Sequence, residues 1–263
     1  MLAQERQQLI LDMFKDRKII KTAEIAEKFN VSNLTARRDF DELSNMNMVT
    51  RIYGGAMLVE SPAMIHAGVI EDRKGIEQER IAMIHAIGKC AASLIEEGDV
   101  IFLGNGNVTL EIAKNLADTP NLTFIVSSIP IANYLLSINK IVYILGGMID
   151  PYEHNTNGHI AMEMMRQFCP NKTFIGCDGM SVKHGVTAYN RLGADLGTVA
   201  VESAEKSFLV IDSRKIEKNA MNIVCPLSAL TAVITDDHLP KEKRKTLESA
   251  GVKLYCAETN HEA

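Results

Sequence analysis

Between Leu2 and Lys15 the apolar residues Leu2, Leu9, Ile10, Met13 and Phe14 recur at helical spacing, which predicts one amphipathic helix. After Asp16-Arg17-Lys18, Thr22 is placed to cap a short second helix, with Glu24 in its first turn and Ile25, Ala26 and Phe29 facing inward to an end near Asn30. Ser32 offers a second cap a few residues later. It opens a third helix from Asn33 to Leu43, in which Leu34, Phe40 and Leu43 are expected to pack on the first two. Two helices joined by so tight a turn form a helix-turn-helix. Val49 to Tyr53, a Gly54-Gly55 turn and Ala56 to Val59 then read as a β-hairpin.

From Glu60 to Lys74 the pattern is broken by Ser61-Pro62 and Gly68, so a linker is expected there. A long helix is predicted from Gly75 to about Glu96. Beyond it, short apolar runs alternate with helical stretches. The runs are Val100–Leu103, Leu122–Val126, Ile141–Leu145, Thr173–Cys177, Phe208–Ile211, Ala232–Thr235 and Val252–Tyr255. The intervening helices are Thr109–Leu116, Pro130–Leu136, Ile160–Phe168, Ala194–Ala204 and Lys241–Ser249. Alternation with continuously apolar strands implies a mostly parallel sheet covered on both faces. The predicted fold is therefore α/β: a winged helix-turn-helix at 1–60, a linker at 61–74, and a mostly parallel-sheet α/β domain at 75–263.

Composition narrows this further. Over 263 residues, 46% are hydrophobic and 23% charged, the balance of a globular chain with cores to bury. The apolar runs are strand-length, which excludes a membrane helix. The polar start Met1-Leu2-Ala3-Gln4-Glu5-Arg6 lacks the features of a secretion signal, so a cytoplasmic protein is expected. The five cysteines include no C-x-x-C pair, and they read as reduced core residues rather than as disulfides or metal ligands. His154 and His159 lie in a polar loop without further ligands, so no metal and no cofactor is predicted.

The net charge of −5 falls on residues 61–263, because residues 1–60 hold nine Lys and Arg against nine Asp and Glu. A case for nucleic acid therefore rests on where the basic residues stand. A recognition helix reads base edges from its first turns, where Ser32, Asn33, Thr35, Arg37 and Arg38 are available. Asparagine pairs with adenine and arginine with guanine in bidentate fashion, while hydroxyls and the helix N-terminus suit phosphate. Alternatively, Arg37-Arg38 is a solvated face paired with Asp41 and Glu42 at i+4.

Val31-Ser32, Thr35-Ala36-Arg37-Arg38-Asp39-Phe40 and then Arg51-Ile52-Tyr53-Gly54-Gly55-Ala56 resemble the signature of the DeoR family of transcription regulators. The resemblance continues through Ile101–Thr109, Leu145-Gly146-Gly147, Phe174–Gly179, Gly185-Val186-Thr187 and Ile211–Lys215. It implies that the third helix enters the major groove of double-stranded operator DNA, with Arg51, Tyr53, Gly54 and Gly55 of the wing reaching phosphate or minor groove. It further implies a C-terminal domain similar in fold to sugar-phosphate isomerases, binding a phosphorylated sugar or related effector. Repression of a carbohydrate operon by a homo-oligomer, dimer or tetramer, is the family expectation.

Ligands of open parallel sheets bind beyond the carboxyl ends of the strands. The Gly104, Asn105, Gly106, Asn107, Thr109 loop has the form of a phosphate cradle at a helix N-terminus, and Ser127-Ser128 and Gly146-Gly147 follow the next two strands. Lys215 is a candidate phosphate contact, and Asp178 and Asp212 are candidates for sugar hydroxyls. The loop departs from the family pattern, with asparagines where an aspartate and hydroxyls are usual. A ligand-blind binding protein and a sugar-phosphate isomerase carrying a regulatory N-terminal domain are the alternatives. For the isomerase Asp178 is the one base on offer, without an evident partner acid.

Overall fold

The computed structural model describes residues 3–14, 17, 19–45, 49–52, 54–58, 74–151 and 153–259. The chain divides into two units, Met1–Gln78 and Glu79–Ala263.

The first unit contains α1 (Ala3–Met13), β1 (Ile19–Lys21), α2 (Thr22–Lys28), α3 (Asn33–Asn45), β2 (Val49–Ile52) and β3 (Gly55–Leu58). Its core joins Ile10 and Phe14 of α1 to Ile25 of α2, Ala36, Phe40 and Leu43 of α3, and Ile20, Val49 and Ala56 of the sheet. Each fully buried isoleucine, leucine, valine or phenylalanine among these contributes about 1.5–3 kcal/mol. The strand order β1-β3-β2 makes the wing three-stranded and antiparallel. β1 was not evident in the sequence, being only three residues long.

The sheet accounts for both wing glycines. Gly54 turns the hairpin at φ +80°, and a Cβ on Gly55 would stand 2.2 Å from the Ile20 carbonyl oxygen. Two expectations are corrected here. Lys21 rather than Thr22 occupies the N-cap of α2, and Thr22 is buried in its first turn. Leu34 is 61% exposed, and Ala36 takes the packing position instead.

The second unit opens with α4 (Lys74–Ala92), whose first residues precede the unit boundary, and the helix stops four residues short of the expected Glu96. There follow β4 (Val100–Leu103), α5 (Asn107–Asn115), β5 (Thr123–Val126), α6 (Ile129–Ser137), β6 (Ile141–Ile144), β7 (Met148–Asp150), β8 (Asn155–Asn157), α7 (His159–Met165), β9 (Lys172–Ile175), β10 (Gly179–Ser181) and β11 (Gly185–Ala188). The chain continues through α8 (Arg191–Ser203), β12 (Lys206–Val210), β13 (Asn222–Cys225), β14 (Ala232–Asp236), α9 (Lys241–Ser249) and β15 (Leu254–Ala257). A single-turn 3-10 helix, Ser213–Lys215, follows β12. Except for Lys74, the linker expected at 61–74 lies outside the described residues.

Seven strands form one parallel sheet in the order β15-β14-β12-β9-β4-β5-β6. Alternate residues of the inner strands enter different cores, as the two-residue period of a strand requires. Ile101 and Leu103 of β4 join Ile87 of α4, Ile112 of α5 and Leu135 of α6 on one face, while Phe102 joins Met165 of α7, Val199 of α8 and Leu247 of α9 on the other. At the amino ends of the strands, Lys172, 5% exposed, donates to Asp99 at 2.6 Å. Two smaller sheets, β7-β8 and β10-β11-β13, stand outside the main one.

From β4 the chain proceeds outward to β5 and β6, then returns on the other side of β4 to build β9, β12, β14 and β15. The order reverses between β4 and β9, and a crevice opens at such a switch point. No helix among the described residues is long and apolar enough to cross a membrane. Of the five cysteines, all free, Cys225 is buried, Cys90 and Cys177 are partly buried against the two cores, Cys256 is partly buried and Cys169 is exposed, so the expectation of a core position is corrected for Cys169.

Candidate functional site

In the first unit the exposed side of α3 carries Asn33, Leu34, Arg37 and Arg38, while Ala36, Asp39, Phe40 and Leu43 turn inward. Ser32 caps the helix by accepting the Thr35 N–H at 3.1 Å, and the Ser32 and Thr35 hydroxyls lie 2.9 Å apart. Both hydroxyls are thus engaged with the helix start. Asp39 accepts from Arg6 Nε at 2.6 Å and from Arg6 Nη2 at 2.8 Å, which ties α1 to α3. The Asp39 hydrogen bond, and its charge, hold the Arg6 guanidinium above its ordinary value against the opposing effect of burial. Glu42 accepts from Gln7 Nε2 of α1.

Two adjacent arginines therefore project from a helix whose Asp39 and Glu42 are bound to α1. Such a face can donate bidentate hydrogen bonds to guanine edges or phosphates. Arg51 lies in β2 opposite Ala56 of β3. Gly54 and Gly55 have the conformational and packing duties described above, and Tyr53 lies outside the described residues.

In the second unit a cavity of about 480 Å3 occupies the carboxyl ends of β12, β9, β4 and β5. Gly104, Asn105, Gly106, Asn107, Thr109, Ser127, Asp178, Asp212 and Lys215 line it. Ser128, Gly146 and Gly147 are not among its described lining residues. A Cβ on Gly147 would stand 2.5 Å from the Asn157 carbonyl oxygen, so this glycine permits β7 and β8 to close against α7.

The α5 N-terminus faces the cavity with Gly106 at its cap. Its first N–H groups have no intrahelical acceptor, which gives the loop anion-binding character. Thr109 is buried and donates its hydroxyl to the Gly106 carbonyl at 2.9 Å, so it closes the loop.

Charge in the cavity is partly paired. Asp212 accepts both Nε of Arg214, at 2.8 Å, and the Arg214 backbone N–H, at 2.9 Å. Burial alone would raise the Asp212 pKa, but the side-chain and backbone bonds from Arg214, with the charges of Arg214 and Lys215, hold it below the usual carboxylate value. Asp178 accepts the Tyr189 N–H at 2.8 Å. Lys215 donates from Nζ to the Cys177 carbonyl at 2.8 Å, and Arg80 of α4 brings a further guanidinium to the wall. Burial pushes the Cys177 thiol up to about 12, the Lys215 charge only partly opposing it, so it stays protonated at neutral pH.

Several lining residues were missed by the sequence reading: Arg80, Glu153, Asn155, Asn157, Asn190 and Arg214. Three of them form a chain. Asn155 Nδ2 donates to Glu153 Oε2 at 3.1 Å, and Asn157 Nδ2 donates to Asn155 Oδ1 at 2.7 Å. A carboxylate only accepts, so it fixes the direction of both amides. Asn157 Oδ1 is left buried with no hydrogen-bond partner. Asn105 Nδ2 donates to the Glu153 carbonyl at 3.1 Å and joins the β4 loop to this hairpin. His154 and His159 flank the hairpin strand in exposed positions.

Residues 6–62 match the model of the DeoR-like helix-turn-helix domain, and residues 81–237 match that of the DeoR C terminal sensor domain. Among curated proteins the chain is similar to the uncharacterized HTH-type transcriptional regulator YgbI of Escherichia coli, at 30% identity over 98% of this chain and 99% of that one. It is also similar to the lactose phosphotransferase system repressor of Staphylococcus epidermidis, at 32% identity over 91% and 94% of the two chains. Among solved structures, ribose 5-phosphate isomerase A of Methanocaldococcus jannaschii aligns over 51% of this chain and 54% of that one, with 14% identity and a TM-score of 0.39. The translation initiation factor eIF-2B of Pyrococcus horikoshii aligns over 89% of both, with 13% identity and a TM-score of 0.48. Nothing about activity passes from likenesses at that level.

Proposed function

Because this chain belongs to the DeoR family of transcriptional regulators, we propose that it represses a carbohydrate-utilisation operon and that a small phosphorylated sugar, bound in the cavity, changes its grip on operator DNA. In this reading residues 1–60 bind DNA, 61–74 link, and 75–263 sense the effector. Asn33, Arg37 and Arg38 contact bases or phosphates from α3, with Ser32 and Thr35 fixing the start of that helix. Arg51 and Tyr53 act beside them on the wing, which Gly54 and Gly55 shape. Two half-sites are read by a homo-oligomer, dimer or tetramer, in the cytoplasm. The lactose phosphotransferase system repressors among the relatives support the carbohydrate assignment.

The observation that carries the effector half of this reading is the cavity at the switch point. It combines a helix N-terminus with Lys215 and Arg80 on a wall that mixes asparagines and carboxylates with apolar side chains such as Phe102 and Ile175. A phosphate on the Gly104–Thr109 loop would meet the α5 N–H groups and the Lys215 charge, leaving Asp178 and the asparagines for hydroxyls. Asp212, held by Arg214, orients that guanidinium rather than the sugar.

The test is calorimetric titration and thermal shift with a panel of phosphorylated sugars, using wild type and Lys215→Ala. A ligand at 100 times its dissociation constant stabilises the unit by about 2.7 kcal/mol. The reading predicts at least one such hit, weakened in Lys215→Ala, and a change in operator affinity when the hit is added. Equal binding of the phosphorylated and unphosphorylated sugar would overturn the phosphate assignment.

A further inference from the structure

Among the described residues, Leu34 stands outside the hydrophobic core of its unit. It is 61% exposed at the second position of α3, on a helix whose other large apolar residues, Phe40 and Leu43, are fully buried. Residues three and four apart on a helix are neighbours, so Leu34 shares its surface with Arg37 and Arg38, and Asn33 stands beside it. It is the one large apolar side chain on that exposed, basic side of the helix's described residues. Ser32 and Thr35, the other polar side chains of the first turn, are engaged with each other at the cap. The side chains that project outward from the first two turns are therefore an amide, an isobutyl group and two guanidiniums.

Each of the polar groups has several partners on duplex DNA, but an isobutyl group has few. Phosphates, sugars and the hydrogen-bonding edges of the bases are polar. The apolar feature that the major groove of ordinary DNA presents is the C5-methyl of thymine. Major-groove insertion places the outward residues at the N-terminal end of the recognition helix against base edges. The arginines on either side supply the charge complementarity that brings this surface to DNA.

We infer that Leu34 is a specificity-determining residue that reads a thymine by its methyl group, and that each operator half-site contains a thymine whose methyl seats against it. The inference rests on the DNA-reading role of α3 proposed above. It assigns to an apolar side chain a share of the sequence preference that the motif places on polar ones.

The experiment uses the full chain and a random duplex library, from which bound sequences are selected. On the selected duplex, each thymine is replaced singly by deoxyuridine, which keeps the base pair and removes only the methyl. Wild type is expected to lose about fourfold in affinity at one thymine per half-site, the value of one methyl group withdrawn from apolar contact. Leu34→Ala should still bind the duplex, with unchanged melting temperature because the side chain is exposed, but should no longer distinguish thymine from deoxyuridine at that position. Leu34→Met, which conserves volume, should keep most of the discrimination.

The inference is overturned if wild type tolerates deoxyuridine at every position, or if Leu34→Ala retains the wild-type ratio. Failure to enrich any sequence is a different result. It would refute the DNA-reading role itself, and Leu34's with it.

Discussion

The Arg6–Asp39 pair gives a prediction that separates the structural member of the Arg37-Arg38-Asp39 run from the two arginines proposed to contact DNA. Asp39 is 2% exposed, and both of its oxygens receive hydrogen bonds from one guanidinium, at 2.6 and 2.8 Å. Replacing Asp39 with alanine leaves Arg6 buried without its counter-ion and loosens α1 from α3. Breaking one partner of a buried pair costs about 3–5 kcal/mol. The lower figure applies here, because Arg6 keeps some solvent contact in a small unit. At a factor of ten for each 1.4 kcal/mol, about 3 kcal/mol multiplies the population of the open form by roughly 140.

A global melt would mix the two units, so the assay should be local. Hydrogen–deuterium exchange of the α1 and α3 amides, read peptide by peptide, is expected to accelerate on the order of 100-fold in Asp39→Ala. The sheet amides of β4 and β9 should not change. Arg6→Met with Asp39→Leu, which removes both charges and keeps the volume, should recover most of the protection. Arg37→Ala should leave exchange unaltered, since that side chain is exposed. Exchange in Asp39→Ala within threefold of wild type would refute the assignment of Asp39 as a structural tie.

Two further outcomes follow from the geometry. Gly55→Ala drives a methyl to 2.2 Å from the Ile20 carbonyl, so β1 must separate from β3; the wing unit should lose about 1–3 kcal/mol, measured by the same exchange at β1 and β3. The pH dependence of ligand binding should report the ligand. Asp212 has a pKa below its ordinary value, so its ion pair contributes fully above that ordinary value and is lost only as pH falls through the lowered one. The Cys177 thiol, pushed up to about 12, stays neutral, and no histidine is among the described lining residues, which include Arg80, Glu153, Asp178, Arg214 and Lys215. Between pH 7.5 and 5.5 a phosphomonoester with second pKa about 6 should therefore lose about fourfold in affinity through its own protonation, as read by calorimetry, whereas an unphosphorylated sugar should not.

The main sheet was legible because parallel strands buried on both faces leave continuous apolar runs, and all seven runs became its strands. The runs do not say which strand lies at an edge. Ile141–Ile144 reads as buried, yet Ile141 is 63% exposed on the terminal strand β6. The short antiparallel pieces were opaque for the opposite reason. Asn155-Thr156-Asn157 looks like a solvated loop, but all three residues are buried, with Thr156 donating to the Leu145 carbonyl at 2.6 Å and Asn157 Nδ2 to Asn155 Oδ1 at 2.7 Å. The alternation of asparagine around a threonine was the available hint of a strand, too short to outweigh composition.

The same limits shaped the sites. Gly104–Thr109, Asp178, Asp212 and Lys215 line the cavity because they follow strands, and the crevice of a switch point lies beyond strand ends. Arg80 sits on a helix and Glu153 in a turn, and only the folded chain brings them to the cavity. Gly146-Gly147 also follows a strand, but packing explains Gly147 better than a ligand does. Leu34 was expected to be core because it is apolar in an amphipathic helix, and its neighbour Ala36 was small enough to be overlooked.

Whether the cavity and the operator are coupled is decided by a closed binding cycle. Operator affinity is measured with and without saturating sugar phosphate, and sugar-phosphate affinity with and without saturating operator, both on the full chain. Linkage requires the two ratios to be equal, and the proposed coupling gives a common factor of about 5- to 150-fold. A common factor of one, with both ligands demonstrably bound, would overturn the coupling and leave a DNA-binding protein whose cavity does not regulate it.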